Sequence, residues 1–389
     1  MERHLMDLRL TLVRRYLAKE ASMLALCAEY NVSPKTGHKW VARFLDGGVP
    51  NLVDRSRAPH TQPNALCEDV VVHVLELRQK HPDWGPKKLR GWLQDHEPTR
   101  RWPAASTVGE LLLRRGLVAP RRPASRRPYA TPPAASWTAP NIVWCADFKG
   151  WARINAEACH PLTITDGYSR YLLRCDALRD PRTEPVREAF AASFREFGLP
   201  LRIRTDNGSP FASKGLGGLS RLSVWWVKLG ITPERIVPGR PQQNGRHERM
   251  HRTLKAATMR PMSSSWVAQQ KAFDRFRHEY NHERPHEALE QKPPASVYIP
   301  SDRRAPTEPT DPVYPSHFIT RRPFKNGAVN WNGRQPVLGT VLTHELVGFE
   351  PIAEGRYQLW FGPLYLGLLL EKSKGQHSLI KNVLPQSSP

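Results

Sequence analysis

Between Ile142 and Tyr280 the apolar pattern changes in a way that few folds can satisfy. IVWCADF (142–148), PLTITD (161–166) and RYLLRCDAL (170–178) read as three strands in close succession. A helix over Glu184–Phe197 follows, closed by Gly198, and then the strand LRIRT (201–205). Next come a helix over Leu219–Leu229, the strand ITPERIV (231–237), and two helices over Gly245–Met259 and Trp266–Tyr280. Neighbouring strands can be joined as hairpins, whereas alternating helix and strand calls for crossovers. The combination predicts a mixed α/β sheet over 141–298.

The flanks are built differently. In residues 1–60, Leu8, Leu12, Tyr16 and Leu17 recur at helical spacing, as do Leu24, Leu26, Cys27 and Tyr30. Asn31 can take a left-handed turn, Ser33 is an N-cap, and Pro34 occupies the first helical position. The helix that follows carries Lys35, Thr36, His38, Lys39 and Arg43, with Trp40, Val41 and Phe44 facing inward. This is a helix-turn-helix pattern with a basic helix offered to a DNA groove, although an ordinary helical hairpin shares its punctuation. Residues 61–120 repeat the theme, with helices over Val70–Lys80, Lys87–Asp95 and Thr107–Arg115, the last stopped by Gly116.

From 114 to 127 there are arginines at 114, 115, 121, 122, 126 and 127 and no acid, and proline and alanine then dominate to Pro140. Residues 121–140 read as an extended basic linker. Arg121, Arg122, Arg126 and Arg127 could follow a phosphate backbone, or the segment could be a solvated spacer. Beyond 299, AVNWNG, QPVLGTVL, YQLWF and LYLGLLL predict a small β-barrel-like domain to 389. The expected whole is multidomain: all-α helix-turn-helix units, a central α/β sheet and a small C-terminal β domain.

Charge narrows the partner. The 58 Lys and Arg residues outnumber 36 Asp and Glu, for a net charge of +22. That balance points to a polyanion, most simply double-stranded DNA. No basic amphipathic helix with a broad apolar face speaks for a membrane surface. Five cysteines without CxxC spacing argue for reduced thiols and against a zinc ribbon. The N-terminus lacks the apolar segment of a signal peptide, and the run 357–370 is short and broken by Gly362-Pro363. The expectation is a bacterial cytoplasmic protein on the nucleoid.

Three acids stand in unusual places. Asp147 lies in an otherwise apolar strand, Asp206 ends the fourth strand before Asn207-Gly208, and Glu248 opens a helix after the loop PGRPQQNG (238–245). An Asp before Asn-Gly is also common in plain turns. Carboxylates gathered at neutral pH repel one another unless a cation sits among them, and hard oxygen ligands suit Mg²⁺ or Mn²⁺. Two such ions can drive phosphoryl transfer on DNA. Arg252 and Lys255 lie along the same helix face as Glu248, with His251 beside them. Pairing between Glu248 and Arg252 is the plainer alternative. Trp144, Trp225 and Trp226 read as core residues, and Asp166 as a turn residue.

WCADF, TDNGSPF and NGRHERMHRTLK, in this order, resemble the signature blocks of the Asp-Asp-Glu transposases and retroviral integrases. YNHERPHEAL (280–289) is similar to the run that closes the core of bacterial insertion-sequence transposases. The resemblance covers about 141–298 and implies a ribonuclease-H-like core with two divalent ions. It also implies catalytic, metal-binding Asp147, Asp206 and Glu248, and contact of Arg252 and Lys255 with the element's end. Two departures stand out. Asp206 and Glu248 are 42 residues apart, longer than usual, with SKGLGGLSRLS (213–223) as the surplus and Glu234 as a rival acid. The His/Cys zinc site of retroviral integrases is replaced by helix-turn-helix units. The implied activity is cleavage of terminal inverted repeats and joining of the 3′-hydroxyl ends to target DNA by at least a dimer. A DNA-binding regulator on an inactive core, and a nuclease that cuts without joining, are the alternatives.

Overall fold

In a computed structural model, the residues described are 2–54, 65–118, 137–236, 245–372 and 376–381. Arg121, Arg122, Arg126 and Arg127 lie outside them, as does most of the loop ahead of Gly245. The chain divides into two compact units, Met1–Cys67 and Glu68–Pro389.

The first unit holds α1 (Glu2–Leu17), α2 (Met23–Glu29) and α3 (Pro34–Gly47) around Leu12, Val13, Met23, Leu26, Cys27, Val41 and Leu52. The predicted punctuation is present. Asn31 takes φ 52°, and the Ser33 hydroxyl accepts the Thr36 N–H at 3.2 Å. Trp40 and Phe44 pack on the core beside Val41. Helices α2 and α3 meet at Gly37, where a Cβ would stand 2.5 Å from Met23 Sδ and 2.7 Å from Cys27 Sγ. Lys35, His38 and Lys39 are exposed, and Thr36 and Arg43 are half-buried. Thr36 Oγ1 lies 3.0 Å from Ser33 Oγ, so this hydroxyl belongs to the cap as well as to the helix face.

The second unit begins with α4 (Glu68–Lys80), α5 (Pro86–His96) and α6 (Ala105–Arg114), packed around Trp84, Leu89, Leu93, Trp102 and Leu112. Gly116, at φ 69°, ends α6, and the Leu117 N–H returns to the Leu112 carbonyl at 2.9 Å.

The central sheet contains β1 (Val143–Phe148), β2 (Ala152–Ile154), β3 (Glu157–Asp166), β4 (Leu172–Leu178), β5 (Arg202–Thr205) and β6 (Thr232–Arg235). β3 pairs antiparallel with β1, β2 and β4, while β1–β5 and β5–β6 are parallel. The two halves of the predicted pattern are thus both present, hairpins first and crossovers after. β2 was not anticipated, because three residues are too few for a periodicity to register. One face carries α7 (Thr183–Phe197) and α8 (Arg221–Lys228) over Trp144, Ala146, Ile164, Phe190, Ile203 and Trp226. The other carries α9 (Gly245–Thr258) and α10 (Trp266–His282), which bury Cys175, Met250, Leu254 and Phe273. Trp144 and Trp226 are core residues, as expected. Asp166 is a turn residue whose carboxylate accepts the Asn141 and Ser169 N–H groups, each at 2.7 Å.

YNHERPHEAL runs from the end of α10 against α4 and α5. His81 Nδ1 lies 3.2 Å from Glu279 Oε1, Lys80 pairs with Glu283 at 3.3 Å, and Arg284 with Asp83 at 2.8 Å. Lys88 Nζ donates to the Pro285 carbonyl at 2.5 Å. Burial there pushes the Lys88 ammonium down to about 7, with Arg284 adding to the effect.

The C-terminal sheet is an open antiparallel meander of β7 (Ile319–Arg321), β8 (Val347–Ala353), β9 (Arg356–Phe361), β10 (Leu364–Lys372) and β11 (Gln376–Lys381). AVNWNG and QPVLGTVL are not strands. They make only the isolated bridges Ala328–Val337 and Trp331–Arg334, and Thr340–Leu342 is a 3₁₀ turn. Pro336 has no N–H for a ladder, and Gly327, Gly333 and Gly339 all take positive φ. Their apolar residues still fill the core, with Val329, Trp331, Leu338 and Leu342 buried against Phe349, Leu359 and Leu369. The surplus loop is structural. Leu216 and Leu219 join Val224 and Val227 of α8 in that same core.

Two outcomes are expected. Leu216→Ala lowers unfolding free energy by about 2–4 kcal/mol in denaturant titrations, as for other buried leucines; a solvated insertion would tolerate the change. Lys88 has a folded-state value below its unfolded one, so between about pH 7 and 10.5 the unfolded chain binds the extra proton. Stability from this group therefore rises with pH across that window, and Lys88→Met flattens the increase in thermal midpoint between pH 7 and 9.

Candidate active site

Strand β1 alternates its faces. Trp144 and Ala146 point to the α7/α8 core, so Cys145 and Asp147 face the α9/α10 side. In the parallel β1–β5 pair, Trp144 stands beside Ile203 and Cys145 beside Arg204. Continuing that register by two residues brings Asp206, the first residue past β5, abreast of Asp147 and onto the same face. Asp147 is thus the penultimate residue of β1, and Asp206 lies just past the end of the neighbouring β5. The Asp206 carboxylate accepts the Gly208 N–H at 3.2 Å, so the plain-turn role is real and coexists with this placement.

Helix α9 lies over this face. His247, Met250, His251 and Leu254 are buried at i, i+3, i+4 and i+7. Glu248, Arg252 and Lys255 are exposed along the helix, the shared stripe the spacing predicted. Glu248 stands next to His247 in the first turns, at the same end of the helix. The groups whose ligand atoms converge within 4.8 Å are Asp147, His247 and His251. Neither Asp206 nor Glu248 is one of them. Glu234, the rival acid, is held by Arg202 at 3.0 Å and Arg204 at 2.9 Å on the edge strand.

Thr163 of β3 joins the parts. It stands opposite Asp147 in the β1–β3 register. Its hydroxyl donates to the Asp147 carbonyl at 3.0 Å. The same oxygen lies 2.6 Å from His247 Nε2 and 2.7 Å from His251 Nε2. One hydroxyl has one proton and two lone pairs, so both imidazoles donate their Nε2–H to it. Each ring is then neutral with an unprotonated Nδ1. Burial holds both neutral, pushing His247 down to about 3 and His251 down to about 2, the latter helped by His247 and Lys149. His247 Nδ1 meets Thr165 Oγ1 at 3.3 Å, while His251 Nδ1 faces Asp147 Oδ2 at 3.9 Å.

His247 and Thr163 are site residues that the sequence reasoning passed over, and His251 entered it only as a neighbour of Arg252 and Lys255. The helical spacing of His247 with Met250, His251 and Leu254 was the available signal. Thr163→Val leaves two buried N–H donors without their acceptor and is expected to cost about 2–4 kcal/mol in chemical denaturation. Thr163→Ser restores most of the loss.

An integrase core domain family matches residues 138–241 and another of the same description matches 229–294, while a homeodomain-like domain family matches 36–112. A protein of insertion element IS476 from Xanthomonas euvesicatoria is 26% identical over 60% of this chain and 65% of its own length. One of insertion element IS407 from Burkholderia multivorans is 28% identical over 40% of this chain and 55% of its own. The chain thus spans between about half and two thirds of these curated relatives. The HTLV-2 integrase catalytic core domain, solved in complex with magnesium, aligns at 15% identity over 42% of this chain and 99% of that one, with a TM-score of 0.34. With its ordered motifs, its matches to integrase core domain families and its insertion-element relatives, the chain is similar to the insertion-sequence transposases of the retroviral integrase superfamily.

Proposed function

We propose that this chain is a DNA transposase that binds the terminal inverted repeats of its element, cuts at each end and joins the freed ends to target DNA. What supports the proposal is the β1–β5 register, which pairs Cys145 with Arg204 and, continued by two residues, would bring Asp206 abreast of Asp147. Two carboxylates on neighbouring strands would offer the hard oxygen donors that suit Mg²⁺ or Mn²⁺. Glu248, exposed on the first turns of α9, would have to turn towards the two aspartates to complete the set. When bound, two such ions activate the attacking oxygen and stabilise the leaving one.

The protein's own residues supply positioning. Asp147 and Asp206 fix where the scissile phosphate sits, and Arg252 and Lys255, exposed on the Glu248 stripe, grip the adjoining backbone. A water first cuts the strand and leaves a 3′-hydroxyl. That hydroxyl then attacks a target phosphodiester, forming one P–O bond as another breaks. Lys35, Thr36, His38, Lys39 and Arg43 on α3 would read the repeat in the major groove, with the residues 61–120 as a second unit. Arg121, Arg122, Arg126 and Arg127 would follow phosphates between the units and the core at 141–298. Joining two ends calls for at least a dimer. No helix among the described residues is long and apolar enough to cross a membrane, which accords with work on the nucleoid in a bacterial cytoplasm.

The test uses DNA that carries the repeats flanking the gene. With Mg²⁺, Asp206→Asn is expected to lose end cleavage at least a hundredfold while keeping salt-sensitive end binding. Cleavage at the original rate in that variant would sink the metal role. Binding without any cutting by the unaltered protein would instead favour a regulator.

A further inference from the structure

The two buried histidines of α9 differ in one respect. Both ring nitrogens of His247 face threonine hydroxyls, Nε2 at Thr163 and Nδ1 at Thr165. His251 commits only Nε2 to Thr163, and its Nδ1 is turned to the carboxylate of Asp147 at 3.9 Å. The Thr163 hydroxyl donates its single proton to the Asp147 carbonyl, so the tautomer of His251 is set. Its Nδ1 carries a lone pair rather than a hydrogen. A lone pair and a carboxylate oxygen aimed at each other at this distance do not form a hydrogen bond. Two donors each ~2.1 Å from one cation can stand up to ~4.2 Å apart, and the observed separation falls inside that limit. A ring N–H fixed by an outer acceptor while the other nitrogen meets a carboxylate is the arrangement of a metal-ligating histidine.

We infer that His251, oriented by Thr163, is a nitrogen ligand to the divalent ion held by Asp147, with His247 as a buttress that does not touch the ion. The inference rests on the metal reading of the preceding subsection and adds a residue outside the three carboxylates. An imidazole in place of an all-oxygen shell tilts the site from Mg²⁺ towards Mn²⁺. Thr163 is then a positioning residue, acting through the tautomer it imposes.

Mn²⁺ alone, added to the full-length protein, is the probe, and pulsed electron spin resonance reads nitrogen coupled to the bound ion. The unaltered protein is expected to show histidine nitrogen modulation that changes when its histidines are labelled with ¹⁵N, an observation that needs no variant. His251→Asn should abolish the modulation and weaken Mn²⁺ binding about tenfold or more, whereas His247→Gln should keep it. Thr163→Val should weaken binding, and Thr163→Ser should restore it. Bound Mn²⁺ that is lost in Asp147→Asn yet shows no nitrogen modulation overturns the inference and leaves the metal reading standing. Modulation that survives His251→Asn overturns it too. Absence of any Asp147-dependent Mn²⁺ binding removes both.

Discussion

A single hydroxyl fixes the face of the central sheet that lies beneath α9. Thr163 reaches the β1 carbonyl at 3.0 Å and two imidazoles of α9 at 2.6 and 2.7 Å. Those contacts set the rotation of α9 about its axis as well as its height above the sheet. With His247 and His251 turned inward, Glu248, Arg252 and Lys255 have to turn outward, because neighbours along a helix are about 100° apart. A rotation by one residue would bury a charged group and strand two polar rings. The penalty for an unpaired buried polar group makes that slip costly. The exposed Glu248 and cation stripe is therefore a consequence of packing on the opposite side of the helix.

Long, strongly periodic elements were legible in the sequence. The three early strands, α7 with its closing glycine, and the capped α3 all stand where apolar spacing and punctuation placed them. The failures are physical in origin. β2 has three residues, below any period. The C-terminal segments AVNWNG and QPVLGTVL have strand composition, but proline and positive-φ glycines divert them into bridges and a turn that still fill the core. At the site, an acid in an apolar strand and another at a strand tip were visible as anomalies. His247 was not, and His251 registered only as a neighbour of the cations, because both sit in a strongly basic segment where a histidine reads as one more surface group. Thr163 looked like ordinary β-branched filling of a strand.

The excess positive charge is accompanied by acids that are drawn into internal pairs. Glu279, Glu283 and Glu287 at the end of α10 meet His81, Lys80 and Lys87, and Asp83 meets Arg284. Glu234 holds two arginines, and Glu157 meets Arg179 at 2.7 Å. Exposed pairs of this kind add little stability individually. Their larger effect is on the field around the protein, since each paired acid cancels a nearby cation locally. The basic excess is left to the surfaces that lack such partners, and an anionic polymer would meet those first.

The segment that leaves Asp206 does not return directly to the central sheet. It passes through Leu216 and Leu219, which are sealed beneath the C-terminal meander together with one side of α8. That meander is consequently a lid for the core as much as an appendage. A chain ended near residue 300 would leave Leu216, Leu219, Val224 and Val227 facing water. Producing the central sheet alone would yield a sticky, self-associating fragment in which the segment after Asp206 hangs as an unanchored thread.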